Sequence, residues 1–322
     1  MKDLIWYDVF LANMHDKYPK KTQLVDELVK LLCIEKEAVY RRLRKDVHFL
    51  AHEIVTIAST WNISLDAIFG VNSGLIPFQL QPINYLEPTK KEMFNFQQKI
   101  RALEHFKTAA ESEYMEVCNK FPRPLITTPA FKNLHRFKIF NWAFLYNNEE
   151  PYMRYSDAVI PAKVSHEFEI YNKLIKKVSN TNLILDQKVF EYIVNNIQYY
   201  HSIMLVTDEE KALIKKELYS FLDYLMKIAN YGCYPETQKK VNIFISNLKI
   251  TTNYSYYYTE QLKSCRIHAF GKFDICSYES KMVNNFKNWM DLKKRSSIQI
   301  SEVNEKSRID FFMQQRQIVD SL

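Results

Sequence analysis

The sequence predicts a mainly α chain with a minor β component, an α+β protein in which a small domain of short helices precedes a larger helix-rich C-terminal domain. Three observations carry this. Apolar residues recur at helical spacing through most of the chain, as in Leu24, Val25, Leu28, Leu31 and Leu32. Stretches that alternate or are rich in β-formers gather between about 241 and 276. Gly70, Gly74, Pro77, Pro82 and Pro88 punctuate a break. The expected boundaries are therefore a first domain at 1–72, a linker at 73–88 and a second domain at 89–322.

In order along the chain, Leu4, Ile5, Val9, Leu11 and Met14 predict a first helix over 4–16, broken by Tyr18-Pro19-Lys20-Lys21. Thr22 can N-cap a second helix, with Asp26 and Glu27 near its positive end. A tight turn at Cys33-Ile34 leads to a third helix over 35–44 that buries Ala38, Val39 and Leu43. A fourth, over 50–61, buries Ile54, Ile57 and Ala58; Asn62 ends it, and Ser64 caps a short helix at 65–69. Beyond the linker, 89–110 reads as helix and 113–118 as a short strand. Phe121-Pro122-Arg123-Pro124 is a break before an aromatic helix over 129–146, with Phe131, Leu134, Phe137, Phe140, Trp142 and Phe144. Such a stripe walls either a core or a ligand pocket, and core is the commoner use. Helices follow at 162–178, 186–205 and 208–230. After Pro235, 241–250, 254–259, 264–270 and 273–276 read as strands, and helices at 278–294 and 304–320 flank a last strand near 298–300.

Composition narrows the chemistry. At 47% hydrophobic and 25% charged residues over 322 positions, the chain can bury a sizeable core. Its only glycines are Gly70, Gly74, Gly232 and Gly271, too scattered to cradle a phosphate as Rossmann, Walker-type or kinase loops do. Cys33, Cys118, Cys233, Cys265 and Cys276 form no C-x-x-C pair, which argues against a disulfide framework or a zinc ribbon. His48 and His52 have the spacing of a helical metal pair but lack a third ligand, and His52-Glu53 lacks the second histidine of a zincin motif. Lys293-Lys294-Arg295 reads as a solvated helix end. Without a long apolar run or a signal-peptide core, the expectation is a soluble cytoplasmic protein with no membrane partner, no cofactor, no metal and no enzymatic activity.

The net charge of +7 is mild, and residues 1–75 are neutral overall. Positions 36–45 nevertheless carry a net +4, since Lys36, Arg41, Arg42, Arg44 and Lys45 face only Glu37. A basic focus on the second helix of a helix-turn-helix is the footprint of a DNA reader, because that helix enters the major groove. Val39 and Leu43 are spaced i, i+4 toward the core, which leaves Lys36, Tyr40, Arg41 and Arg44 expected on one exposed convex face. N-terminal residues of such a helix meet base edges, so Lys36, Glu37, Tyr40 and Arg41 are the base-contact candidates. Arg44 and Lys45 read as phosphate clamps, and Arg42 as a surface ion pair.

Two stretches also carry a resemblance. Asn62-Ile63-Ser64-Leu65-Asp66-Ala67-Ile68-Phe69-Gly70 and Ala38-Val39-Tyr40-Arg41-Arg42-Leu43-Arg44 resemble the Cro/repressor-type (XRE-like) helix-turn-helix regulators, in a form seen in Bacteroidetes-like bacteria, over residues 22–70. The resemblance implies a sequence-specific transcription regulator acting on double-stranded DNA. It also puts Gln23 where many members hold a phosphate-contacting glutamine. Cys33 departs from the family's usual turn glycine. Small reading heads work in pairs on half-sites about 34 Å apart, so a homodimer is expected, with the C-terminal domain dimerising or sensing an unidentified small-molecule or protein effector. The alternative is an intracellular interaction adaptor that uses the fold without DNA. A further one is an enzyme with an unfamiliar α+β catalytic domain.

Overall fold

A computed structural model describes residues 5–61, 111–126, 130–146, 153–269 and 273–322, with single positions between them. The chain divides into two units, Met1–Pro77 and Phe78–Leu322. The expected linker at 73–88, most of the helix at 89–110 and part of the short helix at 65–69 lie outside the described residues.

In the first unit, helices α1 (Ile5–Lys17), α2 (Lys21–Leu32), α3 (Lys36–Leu43) and α4 (Ala51–Trp61) turn their apolar stripes inward. Phe10, Met14, Leu24, Val25, Leu28, Val39 and Ile57 are fully buried in one cluster. Tyr7 joins it, and its hydroxyl accepts from the Phe49 N–H at 3.0 Å. Helix α2 starts two residues earlier than expected, with extended Lys20 in the capping position and no side-chain cap, so Thr22 sits within the first turn. The turn into α3 is made by Cys33 in the left-handed conformation, at φ 52 and ψ 40. A glycine would adopt that backbone without the Cβ clash that an L side chain suffers.

The second unit overturns the expected fold class. Its strands are β1 (Ser112–Cys118), β2 (Asn180–Asp186), β3 (Lys240–Ser246), β4 (Tyr254–Thr259), β5 (Lys263–Ala269), β6 (Phe273–Ser277) and β7 (Ser297–Gln299). They form one seven-stranded mixed sheet in the order β6-β5-β4-β1-β2-β3-β7, which makes this a substantial α/β fold and not a mainly α one. The strand missing from the sequence reading is β2, which pairs in parallel with both β1 and β3 at the centre. Asn180 and Asn182 lie in it, and asparagine is a poor strand former. Here the amides pair with one another: Asn242 on β3 donates to Asn180 at 3.0 Å and to Asn182 at 3.1 Å.

Parallel neighbours need crossovers. Between β1 and β2 run the short α5 (Arg123–Ile126), α6 (Lys132–Tyr146) and α7 (Ala162–Ile175); between β2 and β3 run α8 (Glu191–Ser202) and α9 (Asp208–Tyr231). With the C-terminal α11 (Glu305–Asp320) they share a core with Tyr114, Leu183, Leu185, Val241 and Ile243 on one face of the sheet. The aromatic stripe of α6 is core: Phe131, Leu134, Phe137 and Phe140 are buried. The opposite face, with Met115, Val117, Ile184 and Phe244, is covered by Val283, Phe286 and Met290 of α10 (Ser280–Arg295). Among the described residues, no helix is long and apolar enough to cross a membrane.

Replacing Cys33 by glycine should relieve a left-handed conformation that costs an L residue roughly 1–2 kcal/mol, against about 0.5–1 kcal/mol of added unfolded-state entropy. The thermal midpoint of the first unit is expected to rise by about 2–8 °C. Calorimetry of the full chain reads this, and a lowered midpoint would show that the turn carries no such strain.

Candidate functional site

Helix α3 has eight residues, too few to be stable in isolation, so its position rests on tertiary anchors. Val39 supplies one from the buried side. The other is Arg42, whose Nε and Nη2 donate to the two carboxylate oxygens of Glu53 at 2.9 Å each, while Nη1 donates to the Ala38 carbonyl. The Arg42 and Glu53 side chains are only 14% and 4% exposed, so the expected surface pair is a buried one. Glu53 is also the third residue of α4 and accepts from the Leu50 N–H at 2.7 Å, capping that helix with the carboxylate that holds α3. Burial acts to raise the Glu53 pKa, but the Arg42 fork and the Leu50 N–H outweigh it and hold it below its ordinary 4.5. The spacing from Leu50 to Glu53 is the sequence signal that identifies this role.

The candidate DNA-facing residues fall as follows. Gln23 is exposed on α2, and Lys36, Glu37, Arg41 and Arg44 are exposed on or just beyond α3. Glu37, Arg41 and Arg44 share one helix face by their spacing. Tyr40, expected on the exposed face, is half-buried against the core instead, with the Lys21 ammonium 5.9 Å from its ring centroid. Its ring is drawn in because it continues the apolar stripe from Val39 toward Leu43. The cations are internally matched: Lys36 with Asp26 at 2.9 Å, and Arg44 with Glu37 at 3.0 Å and Asp46 at 3.1 Å. Lys45, in left-handed backbone at φ 68, reaches Asp8 of α1. Arg41 has no ion pair among the described residues. His48 packs edge-on against Tyr7, and no group of metal-ligating side chains occurs among the described residues.

The second unit holds a buried charged cluster that no sequence motif announced. The Asp274 carboxylate on β6 receives both guanidinium Nη atoms of Arg123 at 2.9 and 3.2 Å and the Lys99 ammonium at 2.9 Å. His268 Nδ1 stands 3.0 Å from Arg123 Nη2 and 3.3 Å from Asp274, and because arginine only donates, that nitrogen is an acceptor. Glu116, fully buried on β1, accepts from the Tyr114 hydroxyl and the Arg123 backbone N–H. Burial raises the Glu116 pKa; at Asp274 the same effect is overwhelmed by Arg123 and Lys99, leaving its pKa well below ordinary. Arg266 on β5 is 2% exposed and lies over the Tyr257 ring at 5.1 Å. The clue in the sequence was a glutamate and an arginine inside otherwise apolar or aromatic strands, but the five partners span residues 99–274 and only the sheet brings them together.

Because Glu53 titrates low in the folded chain, its contribution to stability is full above its unfolded pKa and fades as pH falls through the folded one. Glu53→Gln is expected to destabilise the first unit at pH 7 by about 3 kcal/mol, the cost of leaving one member of a buried pair alone. Below pH 4.5 the parent should lose stability more steeply than the variant. Thermal melts from pH 7 to pH 3 test this, and parallel profiles would refute it. No protein-family model, curated protein or solved structure matches the chain.

Proposed function

We propose that this chain is a sequence-specific, DNA-binding transcription regulator of the Cro/repressor-like helix-turn-helix type. It acts in the cytoplasm as a homodimer, with no catalytic role, and its second unit dimerises or senses an effector. The observation that carries this reading is Arg41: exposed, without an ion pair among the described residues, on a short helix fixed by the Arg42–Glu53 fork. Such a guanidinium can pair bidentately with a guanine edge. The pairs formed by Lys36, Arg44 and Lys45 are solvent-exposed, and pairs of this kind are worth about 0–1 kcal/mol, so phosphates can displace their carboxylates at small cost.

One observation favours a second reading. Asp8, Asp26, Glu37 and Asp46 neutralise most of the basic face, which suits an interaction adaptor binding protein. DNA selection separates the two. On a site enriched from a random pool, Arg41→Ala should cost about 1–3 kcal/mol and much less on random DNA. Lys45→Ala should weaken both equally and lower the salt slope by about one unit. Failure to enrich any sequence, or an Arg41→Ala chain that binds as the parent does, would favour the adaptor.

A further inference from the structure

The register aligns Glu116 on β1, Ser255 on β4, Arg266 on β5 and Cys276 on β6 in one row across the sheet. Near this row Asp274 is engaged by Arg123 and Lys99, and Glu116 Oε2 by Tyr114 and the Arg123 N–H, while Glu116 Oε1 is buried without a hydrogen-bond partner among the described residues, 4.0 Å from Arg123 Nε. Among the described residues, Arg266 Nε and Nη2 are buried and make no hydrogen bond, and Ser264 Oγ, two residues away on the same face of β5, is buried without a partner too. Among the described residues, Lys99, Arg123 and Arg266 gather around Asp274 and Glu116, and Lys99 and Arg266 are buried.

A buried guanidinium with unmet donors is costly, and a methionine of similar volume would avoid the cost. The identity of the unmet atoms is informative. Nε and Nη2 form one edge of the guanidinium, the side-on fork that meets two oxygens of a carboxylate or phosphate in parallel. The Tyr257 ring beneath holds the fork flat. We infer that Arg266, backed by Lys99 and Arg123, is the receptor for a small ligand bearing an oxyanion, a carboxylate or a phosphate. Burial and the neighbouring Arg123 push the Lys99 pKa down to about 8. The inference stands on the second unit alone and does not depend on DNA reading.

The test is thermal melting of the full chain titrated with inorganic phosphate or with succinate, each against sodium chloride at matched ionic strength. At least one of the two should stabilise the second unit saturably. Response to phosphate alone assigns a phosphate ligand, and response to succinate alone a carboxylate one. Arg266→Met should weaken that response at least tenfold while melting in chloride at or above the parent. Arg266→Lys, which keeps the charge and loses the fork, should fall between them. Phosphate captured by the basic face of α3 would survive Arg266→Met unchanged, and that result overturns the assignment. So does the absence of any stabilisation beyond chloride, or an Arg266→Met chain that melts well below the parent in chloride, since the guanidinium would then be structural.

Discussion

The parallel pairing of β2 with β1 on one side and β3 on the other organises the second unit. Antiparallel strands can be joined by a tight hairpin, as β4, β5 and β6 are here, but parallel neighbours force the chain to cross the sheet before it can re-enter. The crossovers are α5 to α7 and then α8 and α9, and together with α11 they bury the aromatic side of the sheet. Because α10 covers the other side, β2 presents Leu183 and Leu185 to one core and Ile184 to another. The apolar run Leu183-Ile184-Leu185 is what burial on both faces demands of a strand.

In the first unit the comparable constraint is smaller and sharper. Glu53 accepts from Arg42 and from the Leu50 N–H, so one carboxylate fixes the angle of α3 and starts α4. Tyr7 spans the same joint, accepting from Phe49 and donating to the Arg42 carbonyl. Residues on the outer face of α3 inherit a fixed frame from groups that never meet solvent freely.

Much of this was legible. Helical periodicity located α1 to α4 and most later helices to within a few residues, and β-formers located the hairpin strands around Tyr254–Thr259. The failures have physical causes. In β2, asparagines disguised a strand, because the amide ladder that joins Asn180, Asn182 and Asn242 exists only after β2 and β3 have paired. The buried cluster joins Lys99 to Asp274 across most of the second unit, and no spacing rule reaches that far. Tyr40 was placed by helix geometry but misjudged in depth, since a tyrosine can bury its ring and keep its hydroxyl near water. The residues proposed to face DNA were legible as a charged face, not as one most of whose cations are already matched.

That matching has a kinetic consequence. For a protein that reads DNA, the time spent on random sequence is set by how strongly bare cations hold the phosphate lattice, with long-range attraction hastening each encounter. A head whose Lys36, Arg44 and Lys45 carry their own counterions has little field to cast beyond a few ångströms. It would release few condensed ions on first touch, let go of random DNA quickly and sample new segments by dissociation more than by sliding. Such a head would spend little of its copy number parked on the rest of the chromosome, and its occupancy would follow the quality of the site.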